Sequence, residues 1–275
     1  MAEKSPSQTL KMAVTGLPGL EELERNFGAF QDSLNKLSGL KIELYPISSR
    51  TIIVHSLMSK NVDLVLFGPA EYVITASKTK IKPVAALSRT DYFSSIVTMR
   101  DKEIFEPKDL KNKKIGVGDF GSTAYHLSPL QMLKDAGLDP LSDVKVVNTS
   151  KHVGWESLKR GSVDALGMKY EQFLQFRSKD KEHSASDFRV IARGPDLPND
   201  LIVAGGHVDG KIAERLKLVL KHNSAELISA ILQGIGNDKY QDMKFITHVK
   251  DSDYDTIREM FKTVGYPEFS KNYQQ

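Results

Sequence analysis

Residues 114–166 read KIGVGDFGSTAYHLSPLQMLKDAGLDPLSDVKVVNTSKHVGWESLKRGSVDAL and carry the pattern from which the fold class follows. Short apolar runs typical of buried strands occur at Lys114–Val117, Val144–Val147 and Val163–Leu166. Helix-length segments separate them at Ser122–Ala136, where Pro129 is expected to kink or restart the helix, and at Val153–Lys159. Such alternation is typical of an α/β fold in which helices flank mostly parallel sheets.

The same order of elements occurs earlier in the chain. Strand-like runs at Met12–Thr15, Lys41–Tyr45 and Val62–Phe67 alternate with helix-like segments at Glu21–Leu37 and Thr51–Met58. Ser56-Leu57 precedes Val62-Asp63 by the same interval as Ser157-Leu158 precedes Val163-Asp164. We therefore predict two similar β-α-β-α-β lobes.

The C-terminal part adds a strand and three helices but no third sheet. The strand is Leu201–Val203, and the helices are Lys211–Lys221, Ala225–Ile235 and Asp255–Thr263. Because the second lobe already has a complete unit, we expect these helices to pack on the first. The predicted first lobe is residues 10–95 and 201–275, and the second is residues 96–200. Two hinge crossings are expected, near Ser94–Thr98 and near Asp196–Leu201.

Composition excludes several classes of protein. The chain has 275 residues, with 38 basic and 35 acidic side chains and a formal net charge of +3. This even balance argues against nucleic acid as a partner. The absence of cysteine removes disulfides, thiolate metal sites and cysteine nucleophiles. No apolar run reaches the ~18 residues of a membrane span, so we expect no membrane insertion.

The loop after the strand Lys114–Val117 is the richest candidate for a site. It contains a G-x-G-x-x-G pattern at Gly116–Gly121, but the next strand ends in Val147-Asn148-Thr149 without the carboxylate that a dinucleotide site needs. Ser122-Thr123 then begins a helix. Hydroxyls and free N–H groups at a helix start either cap the helix or bind an anion, and the loop alone leaves both readings open.

Three further polar residues lie where loops are expected to meet. His152 follows the next strand of the second lobe, Arg50 occupies the matching loop of the first lobe, and Asp200 lies at the return crossing. A lone histidine is more often structural, and Arg50 is equally consistent with a solvated surface residue. The histidines show no metal-ligand spacing and no nucleophile motif is present, so we expect no metal, cofactor or catalytic residue.

Four segments in order resemble the phosphonate and phosphite substrate-binding proteins of ABC transporters. The resemblance covers about residues 10–265 and is carried by Val62–Leu64 with Phe67–Val73, Gly118–Thr123, the stretch from His152 to Ala165, and Leu197–Val203. It implies a two-lobed periplasmic-binding-protein fold in which the lobes close by a hinge on one ligand in the cleft.

The resemblance also assigns roles to residues. Ser122 and Thr123 would hold the phosphorus oxygens together with the N–H groups of Thr123 and Ala124, and His152 would donate a further hydrogen bond. Asp200 would accept from a protonated ligand oxygen. Phe67 would form an aromatic wall, and Glu171 would face the organic end of the ligand.

The sequence departs from the family pattern at four positions. Ala124 replaces a third hydroxyl, Arg50 stands where a tyrosine is usual, and Phe67 lacks a tyrosine hydroxyl. A count without gaps places Lys151 rather than His152 at the histidine position. The ligand therefore stays open among phosphite, methylphosphonate, aminoethylphosphonate and phosphate.

The expected function is capture of a small phosphorus oxyanion for an ABC permease, without catalysis. The expected location is periplasmic, or extracytoplasmic on a lipid anchor, with the leader absent from this sequence. Two alternatives share the scaffold: a transferase or lyase with His152 as base and Asp200 as its partner, and a ligand-sensing module.

Overall fold

The computed structural model describes residues 9–17, 19–47 and 52–271 of the chain. The strands are β1 Leu10–Val14, β2 Ile42–Leu44, β3 Leu64–Phe67, β4 Ile81–Leu87, β5 Ser94–Met99, β6 Lys114–Val117, β7 Lys145–Asn148, β8 Ala165–Lys169, β9 Phe188–Arg193, β10 Asp200–Gly205 and β11 Phe245–Ile246. The α-helices are α1 Leu20–Ser38, α2 Ile52–Met58, α3 Pro69–Ala76, α4 Ser128–Asp135, α5 Lys151–Lys159, α6 Tyr170–Lys179, α7 Gly210–His222, α8 Ser224–Leu232 and α9 Asp255–Thr263. The α/β prediction is confirmed. Within these ranges, no helix combines the length and apolar character needed to cross a membrane.

The chain folds into two compact units, each built around its own sheet. Unit 1 comprises the described residues up to Thr90 and Asn199–Tyr254, and unit 2 comprises Asp91–Pro198 and Asp255–Lys271. The predicted boundaries at residues 95 and 201 therefore lie a few residues from the observed ones. Helices α7 and α8 belong to unit 1, as expected.

Helix α9 corrects the predicted division, because it belongs to unit 2 and not to the first lobe. Its apolar face includes Ile257, Met260 and Phe261, all of which are buried. The hydroxyl of Thr263 donates a 2.7 Å hydrogen bond to Gln131 of α4 in the same unit. The chain therefore passes from one unit to the other at residues 90–91, 198–199 and 254–255, where two crossings were expected.

The sheet of unit 1 has the strand order β11-β4-β10-β3-β1-β2. Strand β1 is parallel to β2 and β3, whereas β10 is antiparallel to both β3 and β4. The start of β10 therefore lies at the edge where β3 and β4 end, and Asp200 is paired with Leu87. Side chains of α1, α7 and α8 cover this sheet, and the buried cluster includes Leu23, Phe27, Phe30, Leu216, Leu220 and Leu227.

The sheet of unit 2 has the strand order β7-β6-β8-β5-β9. Strand β6 is parallel to both neighbours, β7 and β8, while β5 is antiparallel to β8 and β9. Both sheets are thus mixed, rather than mostly parallel. In unit 1 the antiparallel strand follows from the path of the chain. The chain leaves unit 1 after β4 and returns as β10 next to it, where the Arg89 N–H donates to Asn199 Oδ1 at 2.9 Å.

A buried ion network ties helix α5 to the segment after α6 in unit 2. The Nζ of Lys159 lies 3.0 Å from Asp180, 2.9 Å from Glu182 and 3.1 Å from Glu156, and the Asp180 side chain is only 1% exposed. The indole N–H of Trp155 also donates to Asp180 at 2.9 Å. Burial alone would raise the pKa of Asp180, but the hydrogen bonds from Lys159 and Trp155 outweigh it and hold that pKa below its usual value.

Replacing Lys159 with Met is expected to lower the free energy of unfolding by about 2–3 kcal/mol, because Asp180 would stay buried without its cation. Urea titration followed by tryptophan fluorescence measures this, since Trp155 is the only tryptophan in the chain and lies in the network. The matched control is Lys181→Met, which removes an exposed lysine from the same unit.

The contribution of Asp180 to the free energy of unfolding is expected to depend on pH, and the Lys159→Met variant tests this dependence. Because folding depresses the pKa of Asp180, its stabilisation is present at neutral pH and is lost as the pH falls below about 4, the ordinary range of an aspartate. Lys159→Met is expected to lose part of that acid dependence. An unchanged urea midpoint in Lys159→Met would contradict the assignment.

Candidate functional site

The loops after three parallel strands of unit 2 meet at one edge of the sheet. Because β6 lies between β7 and β8 and runs parallel to both, their carboxyl ends share that edge. Gly118–Thr123 follows β6, Thr149–Lys151 follows β7, and Lys169 is the last residue of β8. Carboxyl ends of parallel strands are where α/β proteins bind ligands. We call this region the unit 2 edge.

The loop after β6 runs into a widened helical turn instead of a regular α-helix. The N–H groups of His126 and Leu127 both donate to the Ser122 carbonyl at 3.0 Å, and a π-helical turn spans Thr123–Leu127 before α4 begins. The predicted helix Ser122–Ala136 is therefore divided, and Pro129 lies at the start of α4, the position that proline favours. Pro129 was expected either to kink the helix or to restart it, and the structure shows that a new helix starts there.

Neighbouring residues hold this turn against the sheet. The Gly118 N–H donates to Tyr125 O at 2.7 Å, and the Ser94 hydroxyl donates to Ala124 O at 2.8 Å. A Cβ on Gly118 would lie 2.6 Å from the Cβ of Tyr125, so only glycine allows this approach. Ser122 is half-buried, whereas Thr123 and Ala124 are buried. By position, the N–H groups of Thr123 and Ala124 belong to the first turn, where a helix start favours an anion.

The structure places Lys151 at this edge and His152 elsewhere. Lys151 Nζ lies 4.9 Å from the ring centre of Tyr125, which belongs to the widened turn. The exposed His152 ring instead packs on Phe176 of α6, with ring centres 4.9 Å apart. Neighbours on a helix point about 100° apart, so only one of the two can face the turn. Within unit 2, Lys151 therefore lies beside the turn, as the ungapped count suggests, while the ligand-binding role of His152 stays a prediction.

On the other side of the loop, Lys169 and Glu171 form an ion pair. The Lys169 side chain is 15% exposed and the Glu171 side chain 53% exposed. Gln175 also donates to Glu171, at 3.2 Å. Lys169 Nζ lies 6.0 Å from the ring centre of Tyr92, which is buried. Glu171, predicted to face a ligand, thus has both carboxylate oxygens engaged within unit 2.

Two residues predicted to bind ligand lie at the matching edge of unit 1. Phe67 is 2% exposed and packs against Tyr72, so within unit 1 it is a core residue rather than an exposed wall. Both oxygens of Asp200 accept from Arg89 Nη1 at 3.1 Å. Arg50 lies outside the described residues.

The part of the chain that the structure describes contains one group of potential metal ligands. Asp180, Glu182 and His183 bring ligand atoms within 4.8 Å of one another. Lys159 Nζ already contacts Asp180 and Glu182, so its ammonium supplies the positive charge there. This group belongs to the ion network of unit 2.

The sequence matches a known family over residues 20–254, and that family is described as ABC transporter, phosphonate, periplasmic substrate-binding protein. The match covers most of the chain. The chain belongs to this family. It is a substrate-binding protein of the phosphonate type, which confirms the family inferred from the sequence motifs.

Individual proteins of known name are also similar to this chain over most of its length. A phosphate-import protein, PhnD, from Mycolicibacterium smegmatis is 22% identical, over 94% of this chain and 86% of the relative. The structure of PhnD1 from Prochlorococcus marinus in complex with methylphosphonate superposes with a TM-score of 0.70, at 20% identity, over 95% of this chain and 100% of that one. The aliphatic sulphonate binding protein SsuA from Escherichia coli gives a TM-score of 0.65 at 14% identity, over 98% of this chain and 93% of that chain. The two structures share the fold with this chain.

Sequence reasoning about this phosphonate-type binding protein missed Arg89 and Lys169. Arg89 follows β4, a strand that was not predicted, and its partner Asp200 is distant in sequence. Lys169 follows an apolar run whose end was placed at Leu166, three residues too early. A lysine at the carboxyl end of a parallel strand occupies the position where α/β proteins bind ligands, and this position could have been inferred from the apolar run before it.

His126 lies in the widened turn and is buried, with no partner for its Nδ1 atom among the described residues. Burial lowers its pKa to about 4, and Phe120 packs against its ring at 5.2 Å. The imidazole is therefore neutral at neutral pH and adds no charge to the unit 2 edge.

We expect an NMR titration of the His126 imidazole to show a midpoint near pH 4. The His126→Gln variant identifies its resonance. Because the folded state binds fewer protons than the unfolded state, His126 stabilises fully above about pH 6.5 and loses this contribution as the pH falls toward about 4. A midpoint near 6.5 would show that the ring is solvated and the turn is open.

Proposed function

We propose that this chain is the extracytoplasmic binding component of an ABC importer and captures a small phosphorus oxyanion at the unit 2 edge. The observation that carries the proposal is that Ser122 and Thr123 begin a helical turn, and that the Lys151 ammonium lies 4.9 Å from the ring centre of Tyr125 in the same turn. Hydroxyl donors, N–H groups and a nearby cation together form the chemistry that recognises a phosphoryl group.

The ligand range follows from the same features. Phosphite, methylphosphonate, aminoethylphosphonate and phosphate each present oxygens that hydroxyl and N–H donors can bind. The relatives bear on this choice, because one is named for phosphate import and another holds methylphosphonate. Delivery to a membrane permease and a periplasmic location are parts of the proposal that rest on the family's description.

Transport is favoured over catalysis by the state of the groups that a catalytic mechanism would use. The proposed base, His152, packs on Phe176, and the proposed partner, Asp200, is engaged by Arg89. A general base is commonly paired with the nucleophile that it activates, and among the described residues of its own unit neither side chain is hydrogen-bonded to a nucleophile. Hinge closure stays a prediction, which small-angle scattering with and without ligand tests.

A thermal-shift titration with the four phosphorus oxyanions tests the proposal. A ligand at about 100 times its dissociation constant adds about 2.7 kcal/mol of stability, which raises the melting temperature of a chain of this size by several degrees. We expect such a shift with at least one of the four.

The double variant Ser122→Ala/Thr123→Val is expected to weaken binding of that ligand at least about tenfold, because each hydrogen bond to a charged group contributes about 1.5–3 kcal/mol. Calorimetry measures the affinity, and Ser178→Ala on the exposed part of α6 is the matched control. No shift with any of the four oxyanions, or full affinity in the double variant, would contradict the proposal.

A further inference from the structure

We propose that Tyr266 of unit 2 is a positioning residue, which holds the loop Gly118–Thr123 in its binding conformation by packing on Phe120. The inference rests on the proposed function and deepens it, because it names a residue that sets the affinity of the site without touching the ligand. It is carried by aromatic contacts that join the tip of the loop to helix α9. We call these five rings the aromatic row: His126, Phe120, Tyr266, Phe269 and Phe261.

The tip of the loop is a tight turn with Phe120 at its exposed end. The Ser122 N–H donates to Asp119 O at 3.0 Å, so Phe120 and Gly121 are the two central residues of the turn. Gly121 has a φ of 77°, the left-handed conformation that glycine adopts without strain at the third position of a turn. Because Ser122 closes the turn, any movement of the tip also displaces this proposed ligand donor.

Two rings contact Phe120, which is itself 50% exposed. The His126 ring belongs to the widened turn, and its centre lies 5.2 Å from that of Phe120. The Tyr266 ring comes from the far end of unit 2, and its centre lies 4.7 Å from Phe120 at an interplanar angle of 58°. Tilted pairs at such distances are stabilising beyond the area that they bury. The tip is therefore attached both to its own turn and to the C-terminal segment.

Tyr266 is fixed by the end of helix α9. Its N–H donates to Phe261 O at 2.9 Å, and the Gly265 N–H donates to Lys262 O at 3.1 Å, the two hydrogen bonds of a Schellman motif. The Tyr266 ring lies nearly parallel to that of Phe269, with centres 5.9 Å apart. Phe269 in turn packs at 5.2 Å on Phe261, which is fully buried. The aromatic row thus extends from the core of unit 2 to the tip of the loop.

Helix α9 also supports the part of the site that follows the tip. It packs on α4 and on the widened turn that contains Thr123. One helix therefore supports both the turn that holds Ser122 and the turn that begins at Thr123. A site whose competent conformation is only partly populated binds with an affinity lowered by that fraction. By holding Phe120, Tyr266 raises the fraction of the loop that is ready to bind.

Calorimetry with phosphite, methylphosphonate, aminoethylphosphonate and phosphate tests the inference on two variants of Tyr266. Tyr266→Ala is expected to weaken the binding of any of these anions that the wild type binds by about three- to tenfold, the effect of losing one aromatic pair. Tyr266→Phe keeps the ring and is expected to retain the wild-type affinity. The matched control is Phe105→Ala, which removes an exposed ring of unit 2 that packs on Arg189.

Two further measurements distinguish positioning from direct contact with the ligand. In stopped-flow binding, Tyr266→Ala is expected to lower the association rate constant and to keep the dissociation rate constant, because fewer molecules present a competent loop. Loss of a direct contact would instead raise the dissociation rate constant. Phe120→Ala is expected to weaken binding to a similar extent, and the double variant Phe120→Ala/Tyr266→Ala to be no weaker than either single variant, since both remove the same contact.

The outcomes separate this inference from the proposed function. If the wild type binds one of the four anions and Tyr266→Ala binds it equally well, the inference is wrong and the proposed function stands. The same conclusion follows if Tyr266→Phe or Phe105→Ala weakens binding as much as Tyr266→Ala, if the dissociation rate constant rises, or if the effects of Phe120→Ala and Tyr266→Ala add. If the wild type binds none of the four anions, both fail.

Discussion

Strand β6 runs parallel to the two strands beside it, and the binding chemistry of unit 2 depends on that arrangement. A parallel strand flanked by parallel neighbours brings three successive loops to one edge, so residues far apart in sequence gather there without a dedicated scaffold. The widened turn after β6 is then held from two directions, by the backbone of Gly118 and by the hydroxyl of Ser94. π-helical turns are rare and frequently lie at functional sites.

Much of this architecture could be predicted from the sequence, because local periodicity determines most of it. The order of strands and helices in both repeats follows from apolar spacing, and Ser122-Thr123 was placed at the start of a helical segment by the same reasoning. The sequence did not predict the unit to which α9 belongs. The spacing of apolar residues shows that an amphipathic helix packs on another surface, but it does not identify that surface. Its buried residues Ile257 and Phe261 are equally compatible with either sheet until the packing is known.

The site was predicted less completely for two physical reasons. Adjacent residues on a helix face different directions, so the choice between Lys151 and His152 depended on where α5 begins, and that boundary is the least certain feature of any sequence pattern. The engagement of Asp200 by Arg89 depended on strand pairing between segments more than one hundred residues apart. Neither the register of that pairing nor the partial burial of Lys169 has a local signature.

The interleaved course of the chain has a consequence for how the protein is made. The core of unit 1 includes buried residues from the C-terminal part of the chain, among them Leu216 and Phe245. Unit 2 includes α9, which begins at Asp255. Both units therefore lack part of their packing until these segments have been synthesised. All strands of the unit 2 sheet are synthesised before α9. The surface of unit 2 that α9 covers is therefore exposed until that helix has been translated. Folding during synthesis is therefore incomplete for both units until α9 has been made.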